Sequence, residues 1–95
     1  MSLSVVYTPA AKATFKVIHT LILNKFGKKA ANKFLIKTEK TISLIKDQPL
    51  MFKSSDIAEN IRIGFITKQC TMFYRVETTE IQLLYFWDNR QEPML

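Results

Sequence analysis

IRIGFITKQCTMFYRVETTEIQLLYFWDNRQEP, residues 61–93, is the stretch that decides the fold. It holds three apolar, β-prone runs, about Asn60–Lys68, Thr71–Val76 and Glu80–Trp87. Lys68-Gln69-Cys70 and Glu77-Thr78-Thr79 separate them. Breaks this short leave no room for a crossover helix, so the three strands must be antiparallel neighbours. In the middle run Met72, Tyr74 and Val76 alternate with Phe73 and Arg75, the pattern of a half-buried strand. The last run, IQLLYFW, is apolar on both faces and reads as a covered, central strand.

Working outward, Ser2–Tyr7 reads as a further strand with Val5 and Val6 on opposite sides. Thr8 can cap a helix that opens on Pro9, where the missing N–H costs nothing. Ala11, Phe15, Ile18, Ile22 and Phe26 form its apolar stripe, and Gly27 ends it. A second helix, about Lys28 to Lys46, carries the stripe Ala31, Phe34, Leu35, Thr38, Ile42 and Ile45. Lys29, Lys33, Lys37 and Lys40 occupy its outer face. Asp47-Gln48-Pro49 breaks it, and Leu50–Asn60 reads as loop. The single-glycine connection makes the helices an antiparallel hairpin. The order is therefore β-α-α-β-β-β: an α+β fold with a helical hairpin on one face of a small antiparallel sheet, one domain over residues 1–95.

Composition narrows the function. Seven Phe, three Tyr and one Trp supply a core that a disordered chain lacks. No apolar run approaches the roughly 20 residues of a membrane span, and the N-terminus does not pattern as a signal peptide. Cys70 is the single cysteine, so no intrachain disulfide can form, which fits a cytoplasmic protein. The net charge is +6, unevenly placed. Residues 1–46 hold nine lysines against Glu39, a net of +8; residues 47–95 hold five basic and seven acidic residues, a net of −2. Such a field favours an anionic partner, nucleic acid or an acidic protein. Walker A, GxGxxG, HExxH and GxSxG patterns are missing, no His/Cys/Asp cluster surrounds Cys70, and so neither cofactor nor metal is expected.

The chain resembles the RelE/ParE superfamily, the toxins of bacterial type II toxin–antitoxin (plasmid stabilisation) modules. The resemblance runs through T-P-A-A, K-F-G, A-N-K-F, the Q-P break, I-R-I-G, F-Y-R-V and L-L-Y-F-W-D-N-R-Q-E-P, in that order. It implies a growth-inhibiting toxin neutralised by a cognate antitoxin, whose acidic residues would complement Lys29, Lys33, Lys37 and Lys40. Two target classes occur in the superfamily: DNA gyrase for ParE-like members, and ribosome-bound mRNA, which RelE-like members cleave. For the RelE-like class the resemblance assigns catalysis to Arg62, Arg90 and Lys53. The second lysine of that pattern falls on Ser55, and its C-terminal tyrosine would lie beyond Leu95. The expectation is accordingly a ParE-like inhibitor of gyrase. An mRNA endonuclease and an inactivated, antitoxin-binding relative stand as the alternatives.

The residues themselves support phosphate or target binding by Arg75, Lys68 and Arg90. Cleavage by 2′-OH attack would also need a proton-transfer group. His19 lies beside the apolar stripe and reads as a packing residue; Tyr74 and Tyr85 read as core or partner-facing; Glu92 would serve only if the tail folds back. Arg62 and Arg90 could instead pair with Asp56, Asp88 or Glu80, and Arg75 with Glu77.

Overall fold

The computed structural model describes residues 3–55 and 60–90. Within them β1 (Ser4–Tyr7), α1 (Pro9–Phe26), α2 (Lys28–Asp47), β2 (Ile61–Thr67), β3 (Cys70–Val76) and β4 (Glu80–Asp88) follow in the expected order. The sheet order is β1-β4-β3-β2, so β4 is central, as its apolar character on both faces requires. β2, β3 and β4 are antiparallel neighbours. Cys70, read as part of a turn, instead opens β3 and pairs with Asp88.

One feature of the expected sheet is corrected: it is mixed, because β1 runs parallel to β4. The reason lies in the segment read as loop. Lys53–Ser55 runs antiparallel along the outer edge of β2, with Ile63 N donating to Lys53 O at 3.0 Å and Ser55 N donating to Ile61 O at 2.6 Å. This pass adds one reversal of chain direction between α2 and β2. With it, β4 returns in the direction of β1 rather than against it. It also covers part of an edge that would otherwise be open to other strands.

The helical hairpin packs on the sheet around Ala11, Ile18, Phe34, Ile42 and Ile45 from the helices and Met72, Tyr74, Ile81, Leu83 and Phe86 from the strands. Three rings tie the layers together: Phe15 of α1 stacks on Phe34 of α2 (centroids 5.3 Å) and meets Phe86 of β4 edge-on (5.4 Å). A bulge at Phe73/Tyr74 shifts the phase of β4, so Ile81 and Leu83 before it and Phe86 and Asp88 after it all lie on the buried side. The α1 stripe holds except at its end, where Phe26 is 63% exposed. Gly27 takes φ 91°, ψ 176°, a backbone open to glycine, and joins the two helices by itself. Its N–H donates to Leu23 O and its carbonyl accepts from Ala31 N.

Thr8 does more than cap α1. Its Oγ1 accepts from Ala11 N at 3.1 Å and donates to Leu83 O at 2.7 Å, with Leu84 O at 3.0 Å. It thereby fixes the corner between β1 and α1 to the central strand. Thr8→Ala should lower stability by about 1–2 kcal/mol in chemical denaturation, while Thr8→Ser loses less than half of that. Equal losses in both variants would assign the effect to the methyl group rather than the hydroxyl.

Candidate functional site

The residues singled out in the sequence separate into two places. At the start of β2, Arg62 and its cross-strand neighbour Tyr74 share the helix-facing side of the sheet. Arg62 Nη1 donates to Phe52 O at 2.6 Å and approaches Leu50 O at 3.5 Å. Tyr74 Oη donates to Pro49 O at 2.8 Å. Both side chains thus pin the connection after α2 onto the sheet, and burial raises the Tyr74 phenol above its ordinary pKa despite the opposing charge of Arg62. Asp56, a candidate partner of Arg62, lies outside the described residues, as does Glu92. Lys53 is exposed on the edge segment beside β2.

The second place is a groove of about 370 Å³ between the helical hairpin and the far end of the sheet. α2 contributes Lys33 and Lys37 from successive turns; the β2–β3 turn contributes Lys68; the end of β4 contributes Asp88 and Arg90. Ile18, Ile22, Phe26 and Phe34 supply apolar walls. Arg90 is held there by Asp88: Nε donates to Oδ1 at 3.0 Å, Nη2 to Oδ2 at 2.8 Å, and the Arg90 backbone N–H to Oδ1 at 3.0 Å. The Asp88 side chain is 9% exposed and that of Arg90 43%. The side-chain bonds from Arg90 hold the Asp88 carboxyl below its usual range, against the opposing effect of burial. Between two described residues this is the one ion pair; Arg75, opposite Gln82 and Ile61, makes none there, and the pairing with Glu77 does not form. Gln82 takes up Glu80 instead.

Of the lysines assigned to a partner, Lys33 and Lys37 face this groove. Lys29 lines a shallower cleft with His19, and Lys40 is exposed elsewhere on α2. His19 stacks on Phe15 at 5.8 Å, a packing role at the edge of the α1 stripe. The grouping of Lys33, Lys37, Lys68 and Arg90 is invisible in the sequence, since they come from three separate segments. The one local signal is the Asp88-x-Arg90 spacing, which lets a turn after β4 close a forked pair. No group of three His, Cys, Asp or Glu side chains able to hold a metal occurs among the described residues.

Cys70 sits at the groove's base, 1% exposed. Burial first, then the Asp88 charge, pushes its thiol up to about 12. An unfolded thiol ionises near about 8.5, so above that pH the unfolded state sheds a proton that the folded state keeps. The stability held below that pH is therefore lost as pH rises towards about 12. Stability should fall by up to about 1.4 kcal/mol per pH unit more in the native protein than in Cys70→Ala, read from denaturation curves between pH 8 and 11. Identical slopes would show that the thiol is solvated.

The family model for the ParE toxin of type II toxin–antitoxin systems, parDE, matches residues 5–93. In three dimensions the chain is similar to a structure of the chromosomal ParDE toxin–antitoxin system from P. aeruginosa (TM-score 0.77, 17% identity, 92% of this chain and 96% of that one). It is similar also to the E. coli DinJ-YafQ toxin–antitoxin complex (TM-score 0.67, 8% identity, 95% and 96% covered). A third similar fold is the YoeB dimer from Staphylococcus aureus (TM-score 0.65, 13% identity, 92% and 97% covered). At these identities the likeness is one of fold. No curated protein matches the sequence significantly.

Proposed function

We propose that this chain, which belongs to the ParE toxin family of type II toxin–antitoxin systems, arrests growth by contacting DNA gyrase and is neutralised by a cognate antitoxin. The observation that carries the choice of target class is the use made of Arg62. Its guanidinium is engaged with main-chain carbonyls of the loop after α2, and Arg90 belongs to a different part of the surface. RNA cleavage needs cations and a proton-transfer group converging on one phosphate. Inhibition by protein contact needs only a presented surface, and Arg90, fixed by Asp88 yet 43% exposed, is built for presentation.

The antitoxin reading rests on the hairpin's outer surface. Lys29 and Lys40 are exposed on α2 together with Ile36 and Leu44, Lys33 and Lys37 stand at the edge of this surface beside the groove, and α1 exposes Val17 and Leu21. A surface that is basic and apolar together suits an acidic amphipathic partner. No helix among the described residues is long and apolar enough to cross a membrane, and the proposed place of action is the cytoplasm.

Inducible expression in a bacterial host tests the proposal, with growth, DNA supercoiling and mRNA integrity read in the same cells. Growth arrest with intact mRNA and trapped gyrase is the expected result. Arrest with mRNA cut inside translated codons would replace gyrase by the ribosome. Unaffected growth with folded protein would remove the toxic activity in that host and leave an antitoxin-binding relative.

A further inference from the structure

We infer that the groove between the hairpin and the sheet end binds a nucleoside polyphosphate. This goes beyond the toxin reading and does not rest on it.

Lys33 and Lys37 stand on one wall, a helical turn apart, about 6 Å along the axis. Lys68 and Arg90 stand on the other. Against four cations the groove offers one carboxylate, Asp88, and Arg90 already draws three hydrogen bonds to it. Among the described residues Lys33, Lys37 and Lys68 have no ion-pair partner. Like charges gathered around one groove repel, and water at these exposed positions reduces that repulsion without removing it. A multiply charged anion between the walls removes that repulsion, which a single carboxylate would do only in part. Lysine ammonium groups suit phosphate oxygens as point charges. Nη1 of Arg90 makes no hydrogen bond among the described residues and is free to donate to one more oxygen.

The remaining walls are Ile18, Ile22 and Phe34, with the Phe26 ring exposed at the mouth. A bare phosphate chain would leave these unused. A ligand with a flat aromatic body beside its phosphates covers them, and a nucleobase on Phe26 is that body. The volume, about 370 Å³, falls in the lower part of the about 300–1,000 Å³ range of small-molecule sites. Phe26 also breaks the α1 stripe by pointing to solvent at its end. In the groove it gains a partner.

The test is titration of the purified protein at low ionic strength with ATP, adenosine and inorganic triphosphate in turn, without magnesium. Calorimetry gives affinity and amide chemical shifts give location. ATP should bind with a Kd below about 1 mM and perturb amides at 26–37, 68–70 and 88–90, while adenosine and triphosphate each bind at least about fivefold more weakly. The double variant Lys33→Ala/Lys37→Ala and the single variant Lys68→Ala should each weaken ATP by about tenfold, and Phe26→Ala by about threefold. Lys12→Ala/Lys16→Ala removes the same charge outside the groove and should change affinity by less than about twofold. All these positions are exposed, so the variants keep the fold. Three outcomes would overturn the inference: no binding, triphosphate binding as tightly as ATP, or equal weakening by the two lysine pairs. The last would show diffuse surface charge rather than a site.

Discussion

Phe86→Ala should cost about 3–5 kcal/mol, the largest loss expected from a single side chain here. Phe86 is 2% exposed on the central strand, opposite Met72, which is 0% exposed. Its ring meets Phe15 edge-on, and Phe15 in turn stacks on Phe34, so one side chain touches the contact that joins α1, α2 and the sheet. Alanine would leave a void between three elements that cannot all close on it, because Thr8 and Thr14 tether the first turns of α1 to β4: Thr8 Oγ1 donates to Leu83 O and Thr14 Oγ1 accepts from Phe86 N at 2.8 Å. Small domains hold about 5–15 kcal/mol in all, so the loss removes a large share of the total. Urea denaturation measures the loss directly. Phe86→Leu should cost less than half as much, and a double-mutant cycle with Phe15→Leu should return about 0.5–1.5 kcal/mol of coupling for the ring pair. A loss below about 1.5 kcal/mol for the alanine variant would mean that the three rings do not carry the layer contact.

This dependence on ring packing was legible in part. Phe15, Phe34 and the IQLLYFW run announce themselves by period, and the three antiparallel strands follow from turns too short for anything else. Features set by distant main-chain partners were not legible. Lys53–Ser55 pairs with β2 through backbone hydrogen bonds over a stretch too short to show a strand pattern, and the parallel placement of β1 depends on that pass. Arg62 binds carbonyls ten and twelve residues upstream, which any sequence could supply. Its pattern position is kept, and in the structure its guanidinium holds the loop after α2. Asp88 and Arg90 are two residues apart and could be paired by eye; that Lys33, Lys37 and Lys68 join them follows only from how the hairpin lies across the sheet end.

The second large effect concerns Arg90. If the chain contacts gyrase through the end of β4, Arg90→Ala should abolish growth arrest while the protein stays folded. Arginines at the centre of protein interfaces typically cost 2 kcal/mol or more on truncation, about 30-fold in affinity, and supercoiling by purified gyrase should then need at least that much more protein to inhibit. Arg90 is a sound choice because its side chain is 43% exposed and its removal opens no cavity. What the substitution does leave is the Asp88 carboxylate, 9% exposed and without its forked partner. That adds a stability cost, so Arg90→Lys and Asp88→Asn complete the test. Lysine keeps the charge and loses the fork, and partial inhibition is expected from it. Asp88→Asn keeps the guanidinium and loses its orientation, and should weaken inhibition with little change in stability. Arg62→Ala provides the contrast: freeing the loop after α2 should lower stability, and inhibition should fall only as far as the folded fraction does. Full inhibition by a folded Arg90→Ala protein would exclude the β4 end as the contact and return the search to the apolar outer face of the hairpin.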